Sequence, residues 1–305
     1  MKNYIILLFV FLMLPFIAIA QEDDAKKEND TIVKKVKEKL ERPAFDSSFI
    51  IDNPTDVVLS KNAFEPQFNH RFAPISFDSN DFVGIWGASN IRLGVAYGVH
   101  ERVTIGIGAT KWDRLIDYNL KVAILRQTRS SKMPVNLTYY GNWTVSALPK
   151  ENFPYTSDRW SFFNQLIVSR RFSPKFSAEA TISISHYNVV ENTMRNDMVA
   201  FSLGGRYKIT DNTSIMIDYS QPITTFLQGN PHPGFSVGFE FGTSAHAFQI
   251  FVTNYQGIVS QKNYMYNQNS FFGWSGTKYD GNDPIKVQQN SAILLGFNIT
   301  RIYNF

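Results

Sequence analysis

The chain has 305 residues, of which 15% are aromatic and 18% are charged, and it contains no cysteine. The absence of cysteine excludes disulfide frameworks, thiol catalysis and cysteine-ligated zinc sites. The formal charge of +4 is small for this length, and no basic stripe carries interleaved aromatic residues. We therefore expect a folded protein without a nucleic-acid partner.

The N-terminus has the features of a secretory signal peptide. Lys2 precedes an unbroken apolar run over residues 5–14, and the small residues Ala18 and Ala20 frame a cleavage site. The apolar run is too short for a membrane-spanning helix. We expect residues 1–20 to be a signal peptide that is cleaved after Ala20.

Residues 21–60 form a charged stretch between the signal peptide and the rest of the chain. Acidic and basic residues balance over positions 21–42, apolar residues recur at helical spacing over 31–41, and Pro43 ends that pattern. We interpret residues 21–60 as a solvated periplasmic extension or linker. A short partner-binding helix is the alternative.

From residue 61 to residue 305 the hydrophobic period changes to two. In residues 235–241, for example, Phe235, Val237 and Phe239 alternate with small or polar residues. Such alternation predicts strands with one apolar and one polar face. No amphipathic helix is expected after residue 60. The candidate strands cover residues 64–75, 91–97, 102–110, 116–125, 134–146, 160–171, 176–188, 198–209, 214–221, 234–242, 247–254 and 290–305.

The connections between these strands alternate in length. Residues 76–90, 147–159 and 255–289 are long connections, whereas 172–175 and 210–213 are short. Short periplasmic turns that alternate with longer outer loops are typical of outer-membrane barrels, whereas soluble sandwiches have Greek-key connections. The sequence thus predicts an all-β, up-and-down antiparallel transmembrane β-barrel of about twelve strands, with a charged N-terminal extension.

Charges on the polar face favour a membrane barrel over a soluble ligand-binding barrel. A soluble barrel encloses its apolar face, where mid-strand charges would be costly, whereas a membrane barrel turns that face to lipid. Alternation predicts that seven charged side chains face the lumen. These residues are Arg71, Arg92, Lys121, Glu179, Arg206, Asp218 and Glu240.

The last predicted strand alternates up to the final residue, with Tyr303 and Phe305 in phase. This pattern resembles the C-terminal signal that bacterial outer-membrane barrels present to the barrel assembly machinery. We therefore expect outer-membrane lipid and the barrel assembly machinery as partners.

Six short motifs follow one another along the chain: Ile50–Thr55, Asn69–Phe72, Ala88–Gly94, Leu203–Lys208, His246–Ile250 and Gly296–Arg301. Together they resemble an uncharacterised outer-membrane β-barrel family of Bacteroidota, a domain of unknown function. The resemblance covers about residues 45–305. It implies a barrel in the outer membrane of a Gram-negative bacterium, and it implies no reaction and no catalytic residues.

The sequence offers no arrangement of catalytic or metal-binding residues. The five histidines lack metal-ligand spacing, and Ser185 and His186 are strand neighbours that point to opposite faces. Phosphate-binding and dinucleotide-binding glycine motifs are missing as well. We expect no enzymatic activity and no cofactor.

Two functional hypotheses remain open. The barrel is either a narrow channel for small solutes or a structural barrel that anchors surface loops or a periplasmic partner. The luminal charges would form a pore constriction in the first case and a network tying strands together in the second. The aromatic-rich loop 255–289 is either a contact surface for a partner or a plug that folds inward.

Overall fold

The computed structural model describes residues 38–75, 81–243, 245–280, 283–289 and 292–305. For 274–280 and 283–289 it describes the backbone alone. The expected signal peptide, its cleavage site at Ala20 and most of the charged extension lie outside the described residues.

A closed antiparallel barrel of twelve strands forms the body of the described chain, which confirms the predicted fold class. Each barrel strand pairs with the next barrel strand along the chain, and the last strand closes the barrel by pairing with the first. The barrel strands are β3 (Phe64–Pro74), β4 (Asn90–His100), β5 (Val103–Thr110), β6 (Leu115–Leu125), β7 (Asn136–Ser146), β8 (Trp160–Arg171), β9 (Phe176–Tyr187), β10 (Asp197–Lys208), β11 (Thr213–Pro222), β12 (Gly234–Gly242), β13 (His246–Thr253) and β16 (Leu294–Arg301).

Two smaller hairpins are not part of the barrel sheet. β1 (Phe49–Ile50) pairs with β2 (Asn53–Pro54), and β14 (Trp274–Asp280) pairs with β15 (Asp283–Gln289). Among the described residues, no helix is long and apolar enough to cross a membrane.

Side chains alternate between the two faces of the barrel wall. Ile182, Leu203 and Ile217, on three successive strands, are each about half exposed on the outer face. The opposite phase is buried and consists mainly of Ser, Thr, Asn, Gln and charged residues. An apolar outside and a polar inside are the arrangement of a membrane barrel.

Residues 44–59, which the sequence analysis assigned to a linker, are almost entirely buried. The chain enters at the short-turn end of the barrel, where Leu40 bridges to Thr128, and the β1–β2 hairpin then lies inside the lumen. The linker interpretation is wrong for this part of the chain, because Phe45, Ile50 and Ile51 form a small apolar cluster with wall residues. We call residues 44–59 the luminal segment and residues 49–54 its hairpin.

A short helix, α1 (Ser260–Tyr266), lies in the connection after β13, where the sequence showed no amphipathic helix. Its side chains Gln261, Tyr264 and Met265 are buried inside the barrel. With only seven residues, and buried polar side chains among them, α1 has no amphipathic pattern to detect.

The C-terminus also differs from the expected uninterrupted strand. β16 ends at Arg301, and Tyr303 forms only an isolated bridge to Phe64. The side chain of Phe305 is 88% exposed. Tyr303 therefore continues the pairing with β3, whereas Phe305 lies beyond it.

Candidate functional site: the barrel lumen

The tip of the luminal hairpin is fixed to the barrel wall by Asp218 of β11. Ile51, at the turn, has a positive φ of 56°, which is rare for a β-branched residue. This turn directs the backbone N–H of Asp52 towards Asp218 Oδ2 at 3.1 Å, and Asn53 Nδ2 donates to Asp218 Oδ1 at 2.6 Å. A single wall carboxylate thus binds both Asp52 in the turn and Asn53 directly after it.

The Asp52 carboxylate receives donors from three further strands. Arg71 of β3 donates at 2.8 Å, Ser236 of β12 at 2.7 Å and Thr253 of β13 at 2.9 Å. Arg71 and Asp52 are both almost completely buried, so neither charge would be tolerated without the other. This convergence of donors fixes the hairpin tip inside the lumen, against the side of the wall formed by β11, β12, β13 and β3.

Wall side chains also bind the hairpin backbone. Asn298 Nδ2 donates to the Ile51 carbonyl at 2.8 Å, and Gln249 Nε2 donates to the Phe49 carbonyl at 2.8 Å. Lys121 Nζ donates to the Ser48 carbonyl at 3.0 Å. The hairpin has few backbone partners of its own, and these bonds satisfy its carbonyl groups.

Helix α1 enters the lumen from the long-loop end and meets the hairpin. The Tyr264 hydroxyl donates to Asn53 Oδ1 at 2.6 Å, and its ring stacks on Phe163 with centroids 5.6 Å apart. Gln261 Nε2 binds the wall residues Asn142 and Thr144 at 3.1 and 2.8 Å. The part of loop 255–289 that contains α1 therefore folds inward, and the two inserted elements close the lumen from opposite ends.

Three cavities lie along strand β6. A cavity of about 150 Å³ at the long-loop end is lined by Leu115, a second of about 20 Å³ by Asp117, and a third of about 30 Å³ at the short-turn end by Ala123. These β6 residues follow one another along the inner face. The cavities thus form a discontinuous row between the luminal segment and one side of the wall.

Lys121 lies on β6 between the second and third cavities. Its ammonium group is buried and interacts electrostatically with Glu65, Asp56 and Glu179, while it donates its hydrogen bond to the Ser48 carbonyl. The side chain therefore joins the luminal segment to the wall and interrupts the row of cavities with a positive charge.

All seven charged residues that alternation assigned to the lumen are buried. Arg206 pairs with Asp46 of the luminal segment and with Glu240, whose Oε1 lies 2.9 Å from Arg206 Nε at an angle too bent for a hydrogen bond. Neither carboxylate oxygen of Glu179 has a hydrogen-bond partner. Arg206, Glu179 and Asp218 therefore do not form one cluster, since Arg206 and Asp218 each bind the luminal segment separately.

Arg92 forms an ion pair within the wall. Its guanidinium donates to both carboxylate oxygens of Asp117, at 2.8 and 2.7 Å. Asp117 shares the inward phase of Lys121, so alternation could have identified it. Asp52 lies in the turn of the β1–β2 hairpin and Asn53 begins the two-residue strand β2, so alternation could not identify them, and only the family resemblance at Ile50–Thr55 marked them.

Within the part of the chain that the structure describes, no group of three or more histidine or acidic side chains is arranged to hold a metal ion.

Comparison with solved structures finds a transporter and an outer-membrane channel among the similar chains. The toluene transporter TodX of Pseudomonas putida has a TM-score of 0.42 and 8% identity, with 82% of this chain and 92% of that chain covered. The COG4313 outer membrane channel of Pseudomonas putida F1 has a TM-score of 0.40 and 11% identity, with 81% and 97% covered. Among curated protein sequences, none matches this chain.

A family profile gives the more direct relationship. The profile described as "Membrane bound beta barrel domain (DUF5777)" matches residues 45–303. The match includes the luminal hairpin, α1 and all twelve barrel strands. The chain therefore belongs to this family of membrane-bound β-barrel domains.

Proposed function

We propose that the protein is a narrow channel for small solutes in the outer membrane of a Gram-negative bacterium, closed in this structure by the luminal segment. The observation that carries the proposal is the row of cavities along β6, which extends from the long-loop end towards the short-turn end. A purely structural barrel has no need of such a row, because its interior could be filled by wall side chains.

Closure by inserted elements supports the same function. The luminal segment and α1 are held by polar contacts such as the bond between Tyr264 and Asn53. Polar contacts to inserted elements can be exchanged for water when the elements move, whereas a packed wall offers no second arrangement. Displacement of the luminal segment would join the three cavities into one passage.

A reversible cross-link tests this proposal directly. The hydroxyl groups of Ser47 and Thr300 lie 3.5 Å apart, and the chain has no native cysteine, so S47C/T300C places two thiols within reach of a disulfide. We expect the wild type to conduct ions in planar bilayers. The oxidised double variant should conduct less, and reduction should restore the current, with S47C alone as the control.

A second variant covers the case in which the wild type stays closed. N53A/Y264F removes the contact between hairpin and helix. Conduction by this variant alone would support a gated channel. Silence from both proteins would overturn the channel and favour the alternative, a structural barrel that anchors surface elements such as the β14–β15 hairpin.

A further inference from the structure

The cavity at the long-loop end of the lumen is larger than the other two along β6. It has a volume of about 150 Å³ and is enclosed by the first residues of β4 and β6, the β5–β6 connection and the segment around α1. An engineered cavity of this volume in another protein holds benzene, so a molecule of about six to ten non-hydrogen atoms fits. The cavity is thus of ligand size and too large for a single structural water.

Two buried polar groups that line this cavity have no hydrogen-bond partner. They are the Thr110 hydroxyl on β5 and the Asn263 amide oxygen on α1, and both side chains are more than nine-tenths buried. Burying such groups without partners costs free energy, and native proteins rarely leave them so. Their unused hydrogen-bonding capacity therefore points to a ligand with its own hydroxyl groups.

The charged side chains that line the cavity balance each other, so the lining favours a neutral ligand over an ionic one. Lys262 and Asp113 line it and form an ion pair of 2.8 Å with each other, so the lining is neutral overall. Trp112 and Tyr266 add aromatic surface beside the amides. A neutral lining with aromatic surface, an amide acceptor and a hydroxyl matches a molecule that carries both C–H faces and several hydroxyl groups.

Gly257 leaves the space that the Asn263 amide occupies. A Cβ at this position would lie 2.3 Å from Asn263 Oδ1. The amide oxygen can occupy this position because residue 257 has no side chain. This close approach gives the lining a specific shape, which a loop acting only as a filler would not need.

We propose that this cavity binds a small neutral polyol or monosaccharide. As the entry site of a transported solute, it rests on the proposed channel function. Binding itself does not depend on conduction and can be measured on the closed protein.

The test is calorimetric titration of the full-length protein in detergent with D-arabinose and glycerol, and with acetate and zwitterionic glycine as charged comparators. Thr110→Val and Asn263→Leu remove the unpartnered groups with little change of shape. We expect each to weaken binding of the polyhydroxy ligand about three- to tenfold. Neither should lower the melting temperature, because neither group forms a hydrogen bond in the unliganded protein.

Thr138→Val is the matched control. Thr138 also has a buried, unpartnered hydroxyl, but it lines the cavity of about 30 Å³ at the opposite end, which is too small for a sugar. We expect this variant to bind as the wild type does. The proposal is overturned if no polyhydroxy probe binds, if acetate or glycine binds more tightly, or if all three variants bind alike.

Liposome swelling in D-arabinose separates the two proposals. Swelling without binding at this cavity would overturn the sugar site and leave the channel in place. Binding without swelling, together with silence in planar bilayers, would overturn the channel and leave the site in place.

Discussion

Arg206 shows how one buried cation serves both the wall and the luminal segment. Its guanidinium is buried between Glu240, which is also buried, and Asp46, which is 37% exposed. The two carboxylates therefore differ in their need for the cation. Glu240 cannot reach solvent, whereas Asp46 can exchange its ion pair for water at modest cost.

Replacing Arg206 should therefore cost more than replacing Asp46. We expect R206A to lower the free energy of unfolding by about 3–5 kcal/mol, because it leaves Glu240 buried and uncompensated. D46A should cost about 0–1 kcal/mol. Urea unfolding in detergent micelles measures both values, and R206A/E240Q should recover part of the loss. Equal losses for R206A and D46A would contradict this assignment.

Lys121 is the second residue at which a single charge decides a property of the lumen. Within the proposed channel, K121M removes the positive charge that separates two cavities and leaves Glu65, Asp56 and Glu179 beside the passage. We expect the reversal potential under a salt gradient to shift towards cation selectivity.

The control for this prediction is K132M. Lys132 is a lysine at the short-turn end whose side chain is 77% exposed. Its removal changes the net charge by the same amount but leaves the lumen untouched. If K132M shifts the reversal potential as far as K121M, the effect comes from surface charge and the role given to Lys121 fails.

Sequence alternation identified luminal charges because a strand has only two faces. It placed Arg71, Arg92 and Lys121 on the buried face without any knowledge of their partners. It could not find those partners, because Asp52 lies in an irregular segment without a period. A pattern within one strand carries no information about which distant residue reaches across the lumen.

At the scale of elements, strands were predictable and inserted elements were not. Eleven of the twelve barrel strands agree with the predicted segments to within three residues at each end, and the last strand is shorter than predicted. The β1–β2 hairpin has only two residues in each strand, so no alternation can reveal it. Its structure depends on tertiary contacts such as that between Asp52 and Arg71.

The outward phase of β12 gives a prediction for the lipid-facing surface. Phe239 is 46% exposed on that face. If it lies near the bilayer midplane, F239R should destabilise the barrel by about 2–4 kcal/mol in phospholipid vesicles, because the guanidinium would enter hydrocarbon. Urea titration of folded and unfolded fractions measures the change.

Y155R is the matched control for this substitution. Tyr155 is 73% exposed in the connection between β7 and β8 and belongs to no strand. An arginine there should stay within about 0.5 kcal/mol of the wild type, as surface substitutions usually do. A similar loss of stability at both positions would mean that the apolar outer face of the barrel does not face lipid.

For the whole molecule, the family match and the contacts of the luminal segment lead to the same boundary. The match begins at residue 45, well before the first barrel strand. Residues 44–59 contact the wall through β3, β6, β11, β12, β13 and β16. The membrane domain therefore starts with the segment that fills it, and the barrel wall alone is not its folding unit.

The orientation of the barrel in the membrane is the remaining property of the whole molecule that a simple experiment can test. Short turns of outer-membrane barrels face the periplasm and long loops face outward. We therefore expect the connection that contains Tyr155 to face the cell exterior and the β10–β11 turn that contains Asn212 to face the periplasm. Because the chain has no cysteine, Y155C and N212C each introduce a single thiol.

Both positions are exposed, so a membrane-impermeant maleimide can reach them once it is on the correct side. In intact cells we expect Y155C to be labelled and N212C to be protected. After the outer membrane is permeabilised, both should be labelled to a similar extent. Labelling of N212C in intact cells, with protection of Y155C, would reverse the orientation. The luminal segment would then enter from the cell surface, and the sugar-sized cavity would face the periplasm.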